Sequence, residues 1–308
     1  MRRRSSFRAA RSKRIAERAG YAIGKLNGGK HLATNWLITG VSSGFGRAIA
    51  KAALDRGDTV CGTLRKPEGR AAFEALAPER AHALLLDVTD ERAVHDVVVE
   101  AERLTGGIDR LVNNAGHGMV GAIEETSLAQ IRSLFEVNLL GAIAMIQAVL
   151  PAMRARRAGR IVNVTSVSGL APWSGTGIYG ATKYAFECIG QTLAQEVAPL
   201  GIRVINVAPG GFRTDFAARS MAIAERTIAD YAGTAHQAQQ VFEAGAGREQ
   251  GDPEKAAAAI LAASDAAEPP LHLLLGADAL HYAEDHFAAI AADIAAWRET
   301  SLSTAIAE

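Results

Sequence analysis

Trp36-Leu37-Ile38-Thr39-Gly40-Val41-Ser42-Ser43-Gly44-Phe45-Gly46 is the stretch whose reading decides the fold. A short apolar run reads as a buried strand and ends in a turn with glycines at 40, 44 and 46. Ala48 to Arg56 then follows a helical pattern that Gly57 ends. Glycines there permit a tight turn, close backbone approach to a pyrophosphate, and tight helix–strand packing. The helix start offers free N–H groups and partial positive charge to the anion. A bare glycine triplet carries little weight; strand before and helix after make it a dinucleotide turn.

Working outward, apolar runs and helical patterns alternate. Strands are expected at Thr59–Thr63, Ala81–Asp87, Ile108–Val112, Arg160–Val164 and Ile202–Val207, with a seventh at Leu271–Leu275. Between them, helices are expected at Ala71–Leu76, from Asp90 to Leu104, from Ser127 to about Arg156, and at Tyr179–Val197. Asp90 and Ser127 are cap residues. Regular alternation with fully apolar strands predicts an α/β fold. Its parallel, doubly wound sheet has about seven strands and helices on both faces. The stretch 212–250 breaks the rhythm and reads as a helical flap after the sixth strand. A helix over Asp252–Ser264, the last strand and a polar-faced helix over Ala279–Trp297 follow. No Pro/Gly-rich linker divides residues 35–308, which read as one domain.

The 308 residues are 49% hydrophobic and 21% charged, enough for a large core. Cys61 and Cys188 lie in apolar, patterned segments and read as buried thiols of a reducing compartment, hence a cytoplasmic protein. No apolar run approaches the roughly 20 residues of a membrane span. Net charge is zero, yet residues 1–30 hold ten bases against one acid, Glu17. Residues 1–34 therefore read as a basic, disordered extension outside the fold. A transit peptide and a nucleic-acid or membrane arm are its alternatives. No nucleic-acid partner is expected.

Tyr179 and Lys183 stand four residues apart, which on a helix stacks both side chains on one face. A phenol beside an ammonium is a proton donor and acceptor, and the ammonium is expected to lower the phenol toward neutrality. Ser166 precedes Tyr179 by 13 residues, with Ser168 its rival two residues on. The eight histidines form no metal-binding pattern, and no Gly-x-Ser-x-Gly elbow is present.

Together these motifs resemble the short-chain dehydrogenases/reductases, the single-domain Rossmann type, over roughly residues 35–216. The Thr39–Gly46 turn resembles that family's cofactor motif, and Asn113-Asn114-Ala115-Gly116 its second signature. Asn138, Ser166, Tyr179 and Lys183 match its catalytic tetrad. The resemblance implies a nicotinamide dinucleotide held by Gly40, Ser42, Ser43, Gly44, Phe45 and Gly46. Further contacts would come from Asp87 and Val88, from Asn114, Ala115 and Gly116, and from Tyr179 and Lys183. Pro209, Gly210 and Thr214 complete the set. It also implies that Lys183 anchors the nicotinamide ribose and that Asn138 holds a proton-relay water. Asp87 contacts the adenine edge in this reading, or caps the helix near Asp90.

The second strand ends in Leu64-Arg65, where an NAD enzyme usually carries an acid. Arg65 suits a 2′-phosphate, so NADP(H) is favoured over NAD(H). His117, Trp173, Phe212 and Phe216 are the expected pocket walls. The expected function is reversible hydride transfer between NADP(H) and a hydrophobic ketone, aldehyde or secondary alcohol. Tyr179 serves as general acid/base and Ser166 fixes the oxygen. A cofactor-binding sensor or scaffold without turnover is the alternative. A homodimer through the helices near 127–156 and 179–197 is expected from the resemblance.

Overall fold

The computed structural model describes residues 32–216 and 220–306. The basic extension expected at 1–34 lies, up to residue 31, outside the described residues.

Seven parallel strands form the main sheet: β1 (Asn35–Ile38), β2 (Thr59–Leu64), β3 (Ala81–Leu85), β4 (Arg110–Asn113), β6 (Gly159–Val164), β7 (Ile202–Pro209) and β9 (His272–Leu275). Their order is β3-β2-β1-β4-β6-β7-β9. Side chains alternate across each strand. In β1, Trp36 and Ile38 enter one core layer and Leu37 the opposite one. The first layer packs under α1 (Gly44–Asp55), through Ile49 and Leu54, and α8 (Pro253–Asp265), through Ile260. The other lies under α3 (Glu91–Thr105), α5 (Gly141–Arg156) and α6 (Gly177–Val197), through Val94, Met145 and Phe186. Both faces are therefore covered, as the apolar strands require.

From β1 the chain winds to β2 and β3 on one side, across α2 (Arg70–Glu74), then returns to β4 on the other. The connections leaving the carboxyl ends of the paired strands β1 and β4 run to opposite sides there, which opens the crevice where such sheets bind ligands.

The long helix expected from Ser127 to Arg156 has an interruption. Ser127 and Gln130 form a reciprocal capping box at the start of α4 (Leu128–Phe135). Glu136–Leu140 then make one π turn, with the Gly141 N–H bonded to the Glu136 carbonyl, before α5. Such turns insert an extra residue and recur at functional sites. The whole rod is 29 residues long and contains an 18-residue window with a mean hydropathy of 1.7, long and apolar enough to cross a membrane. This corrects the expectation that no stretch reaches that size. Leu134, Met145, Val149 and Met153 of the rod are fully buried, so one side of it packs into the core.

The stretch after β7 is only partly helical. It contains β8 (Met221–Ile223), a short turn at Ala229–Tyr231 and α7 (Gln237–Gly245). β8 pairs with β5 (Gly118–Val120) in a second, two-stranded sheet that the sequence reading missed. Glu125 pins the flap, accepting from the N–H groups of Thr227 (2.7 Å) and Ile228 (2.8 Å) and pairing with His236 Nε2 at 2.7 Å. Cys61 is buried as expected, but Cys188 is exposed, because it falls on the outward face of α6. The final helices are α9 (Ala277–Ala296) and α10 (Arg298–Leu302).

Candidate active site

The glycine turn is built as the sequence suggests. Gly40 (φ +74°) and Gly44 (φ +58°) take left-handed backbone that a side chain would strain. A Cβ on Gly46 would overlap the Gly40 carbonyl and stand 2.5 Å from Asn114 Nδ2. Asn114 holds the turn from the far side of the crevice, donating Nδ2 to the carbonyls of Thr39 (2.8 Å) and Gly40 (3.1 Å). Thr39 Oγ1 returns the clasp by accepting from the N–H groups of Asn114 (2.9 Å) and Ala115 (3.0 Å). No side chain caps α1 at Ser43, so the helix start offers its N–H groups to a phosphate.

One cavity of about 1190 Å³ joins this turn to the tyrosine. Ser42, Ser43, Gly44, Phe45, Arg65, Asp87, Val88, Asn114, Ala115 and Gly116 line its cofactor side. Arg65 is exposed at the end of β2. Across from it, Asp87 accepts from the N–H (3.0 Å) and hydroxyl (2.8 Å) of Thr89. Those hydrogen bonds, the backbone one first, hold its carboxyl below the usual range, and the Arg65 charge adds to the effect. The cap of α3 is Asp90, which accepts from Ala93 N–H, so Asp87 does not cap that helix. Pro209 at the end of β7, with Gly210 and Thr214 after it, lines the cavity, and Thr214 lies over Gly44. An uncapped helix start, a turn without Cβ atoms and an arginine beyond it fit a nicotinamide dinucleotide.

At the other end, α6 carries Tyr179 and Lys183 on its inward face, both buried. Tyr179 is hydrogen-bonded to Ser166. Lys183 Nζ donates to the Val164 carbonyl at 3.0 Å and lies 5.9 Å from the Tyr179 ring centroid. Burial pushes the phenol up to about 12, the Ser166 hydrogen bond opposing it, and burial lowers the ammonium to about 8. This reverses the expectation of a lowered phenol: desolvation outweighs an ammonium whose hydrogen bond goes to a backbone carbonyl. Ser168, the rival serine, is buried, and its N–H donates to Ser166 Oγ at 3.1 Å. That contact orients Ser166 toward the tyrosine.

Asn138 sits in the π turn and is buried. Its Oδ1 accepts from His117 N–H (2.9 Å), and its Nδ2 donates to the His117 carbonyl (2.9 Å) and Thr182 Oγ1 (3.2 Å). Both amide hydrogens are committed, so the side chain clamps the loop after Gly116 onto α6.

The substrate end is apolar. Phe216 packs on Tyr179, with ring centroids 5.9 Å apart, and Trp173 packs on Phe242 at 5.3 Å. His117 also lines the cavity. Phe212 lines the cavity as well, packing on Phe45 of the glycine turn at 5.0 Å. The sequence reading missed Met221, Val241 and Phe242 of the flap and Tyr282, Asp285 and His286 of α9. The flap's aromatic content was the available signal for the first three. Nothing local marks the α9 residues. Among the described residues, no group of three or more His, Cys, Asp or Glu could hold a metal ion.

A sequence-family model described as short chain dehydrogenase matches residues 34–223. Oxidoreductase BOA17 of Botryotinia fuckeliana is 37% identical over 272 residues, 88% of this chain and 98% of that protein. The crystal structure of a short-chain dehydrogenase from Streptomyces avermitilis is 41% identical with a TM-score of 0.85. It covers 90% of this chain and 100% of its own. Structures with bound cofactor include ElxO with NADP (27% identical, TM-score 0.66, 79% of this chain and 97% of its own). Another is a Burkholderia phymatum protein in complex with NAD (24% identical, TM-score 0.72, 82% and 92%). With the glycine turn, the Asn114 clasp and the serine–tyrosine–lysine group in one crevice, this chain belongs to the short-chain dehydrogenase family and is an NAD(P)-dependent oxidoreductase acting on carbonyl or alcohol groups.

Proposed function

We propose that this enzyme reduces a hydrophobic ketone or aldehyde with NADPH, Tyr179 acting as the proton donor. The observation that carries this reading is the Tyr179 phenol, buried, bonded to Ser166 and raised to about 12 at the apolar end of the cavity. A phenol that keeps its proton across the neutral range suits a general acid better than a base.

A reduced dinucleotide held by the glycine turn and the Asn114–Gly116 loop would supply the hydride for the carbonyl carbon. Ser166 and Tyr179 direct their O–H groups at the carbonyl oxygen, and Tyr179 gives its proton to the alkoxide as it forms. Lys183, charged below about pH 8, stabilises negative charge on the phenolate left behind and holds the dinucleotide's ribose. Phe216, Trp173 and Phe242 exclude water from the reacting groups, which strengthens each of these interactions.

Arg65 supports NADPH over NADH, because its exposed guanidinium at the end of β2 can pair with a 2′-phosphate. Two free cysteines are in keeping with a cytoplasmic enzyme. Exposed Leu128, Leu140 and Tyr184 support pairing of two copies across α4, α5 and α6. The test is NADPH oxidation followed at 25 °C against a panel of apolar ketones and aldehydes, and NADP+ reduction against secondary alcohols, with Tyr179→Phe as control. Turnover that disappears in the variant, with cofactor affinity retained, is the expected result; equal turnover refutes the assignment.

A further inference from the structure

Every residue from Phe287 to Ile306 is exposed, so the second half of α9 and all of α10 project from the domain. A free helix of that length is marginal in water and needs a packed face to persist. Such a face is present. Leu280, Ala283, Phe287, Ile290, Ile294 and Trp297 recur at alternating steps of three and four, the seam of a two-helix coiled coil. Ala283 is buried against the domain, while Phe287, Ile290, Ile294 and Trp297 are 50%, 43%, 62% and 66% exposed.

We infer that this seam binds a second copy of the same chain, its helix running antiparallel. The flanking charges choose the partner. One seven-residue column beside the seam contains Glu284, Ala291 and Arg298. In an antiparallel pair with Ala291 beside its own copy, Glu284 of each chain meets Arg298 of the other, giving two opposite-charge contacts. Asp293, on the other flank, meets its own copy and is the single like-charge contact. A lipid surface fits less well, because the polar side carries Glu284, Asp285, Asp293 and Glu299 against Arg298 alone, and anionic headgroups repel it. Asp285 and His286 also line the active-site cavity, so the arriving end of a second copy covers its mouth.

The test uses the full chain and sedimentation velocity. Ile294→Glu is expected to raise the dissociation constant of this contact by about tenfold or more. Glu284→Arg should weaken the contact, Glu284→Arg with Arg298→Glu should restore it, and Asp293→Asn should tighten it. In a Cys188→Ser background, Ala291→Cys should form a disulfide between two chains on oxidation, whereas Ala295→Cys on the outer face should not. Leu140→Glu is the control for pairing through α4 to α6; loss of association there, with the Ala291→Cys crosslink intact, separates the two surfaces. Unchanged sedimentation in Ile294→Glu together with no crosslink at Ala291 overturns the proposal. So does seam-dependent binding to phosphatidylcholine vesicles by a monomer, or a seam covered only by residues 1–31, seen as apolar exposure on their deletion.

Discussion

The Lys183 ammonium lies 5.9 Å from the ring centroid of Tyr179 but gives its hydrogen bond to the Val164 carbonyl. Each group is shifted toward its neutral form by burial, the phenol to about 12 and the ammonium to about 8. Two groups one helical turn apart are thus governed first by the same apolar surroundings.

Stability should respond to Lys183 in a defined window. Its folded value of about 8 lies below the ordinary 10.5, so between those values the unfolded chain binds the extra proton. Stability from this group therefore rises with pH across that window and is flat below it, by up to about 3 kcal/mol. Lys183→Met should remove that rise. Urea unfolding of both proteins at pH 7 and pH 9.5 is the measurement, and parallel changes contradict the assignment.

Gly46→Ala should destabilise the fold by about 1–3 kcal/mol and abolish dinucleotide binding. The new methyl meets the Gly40 carbonyl and Asn114 Nδ2, neither of which can retreat without undoing the clasp across the crevice. Thermal unfolding and cofactor fluorescence titration read the two effects separately.

Arg65→Asp should raise KM for NADPH by about tenfold to a hundredfold and lower it for NADH. The carboxylate repels a 2′-phosphate and can accept from a 2′-hydroxyl instead. Steady-state kinetics with both cofactors decide this, and an unchanged preference would remove Arg65 from the site.

Glu125→Ala should loosen the flap while leaving the sheet intact. Burial works against the Glu125 charge, but hydrogen bonds from Ile228, His236 and Thr227 hold its carboxyl below the usual range. The flap's anchorage is therefore present at neutral pH and weakens as pH falls through that lowered value. Hydrogen exchange should accelerate at 226–238 in the variant, with KM for substrate rising by about tenfold and kcat changing less.

Much of this was legible in the residues. The glycine turn, the seven strands and the serine–tyrosine–lysine spacing are local patterns, and local patterns are what a sequence displays. The Asp90 and Ser127 caps were read correctly for the same reason. Phe212 and Phe216 both line the cavity as their aromatic character suggested, but the turn between them points one at Phe45 and the other at Tyr179, a division that no local pattern shows. The π turn at Asn138 was hidden because its sequence continues a helical pattern without a break. The pairing of β5 with β8 escaped notice because three-residue strands, a hundred residues apart, carry no periodicity of their own.

By itself the amino-acid order determined the parallel doubly wound sheet, the glycine turn and the spacing of Ser166, Tyr179 and Lys183, because each follows from backbone freedom or side-chain periodicity over a few residues. Only the tertiary structure decided the burial of Tyr179 and Lys183, the clamp of Asn138 on His117, and the α9 residues at the cavity mouth. Those depend on which distant segments remove water from a group or donate hydrogen bonds to it, and desolvation is a property of the assembled fold.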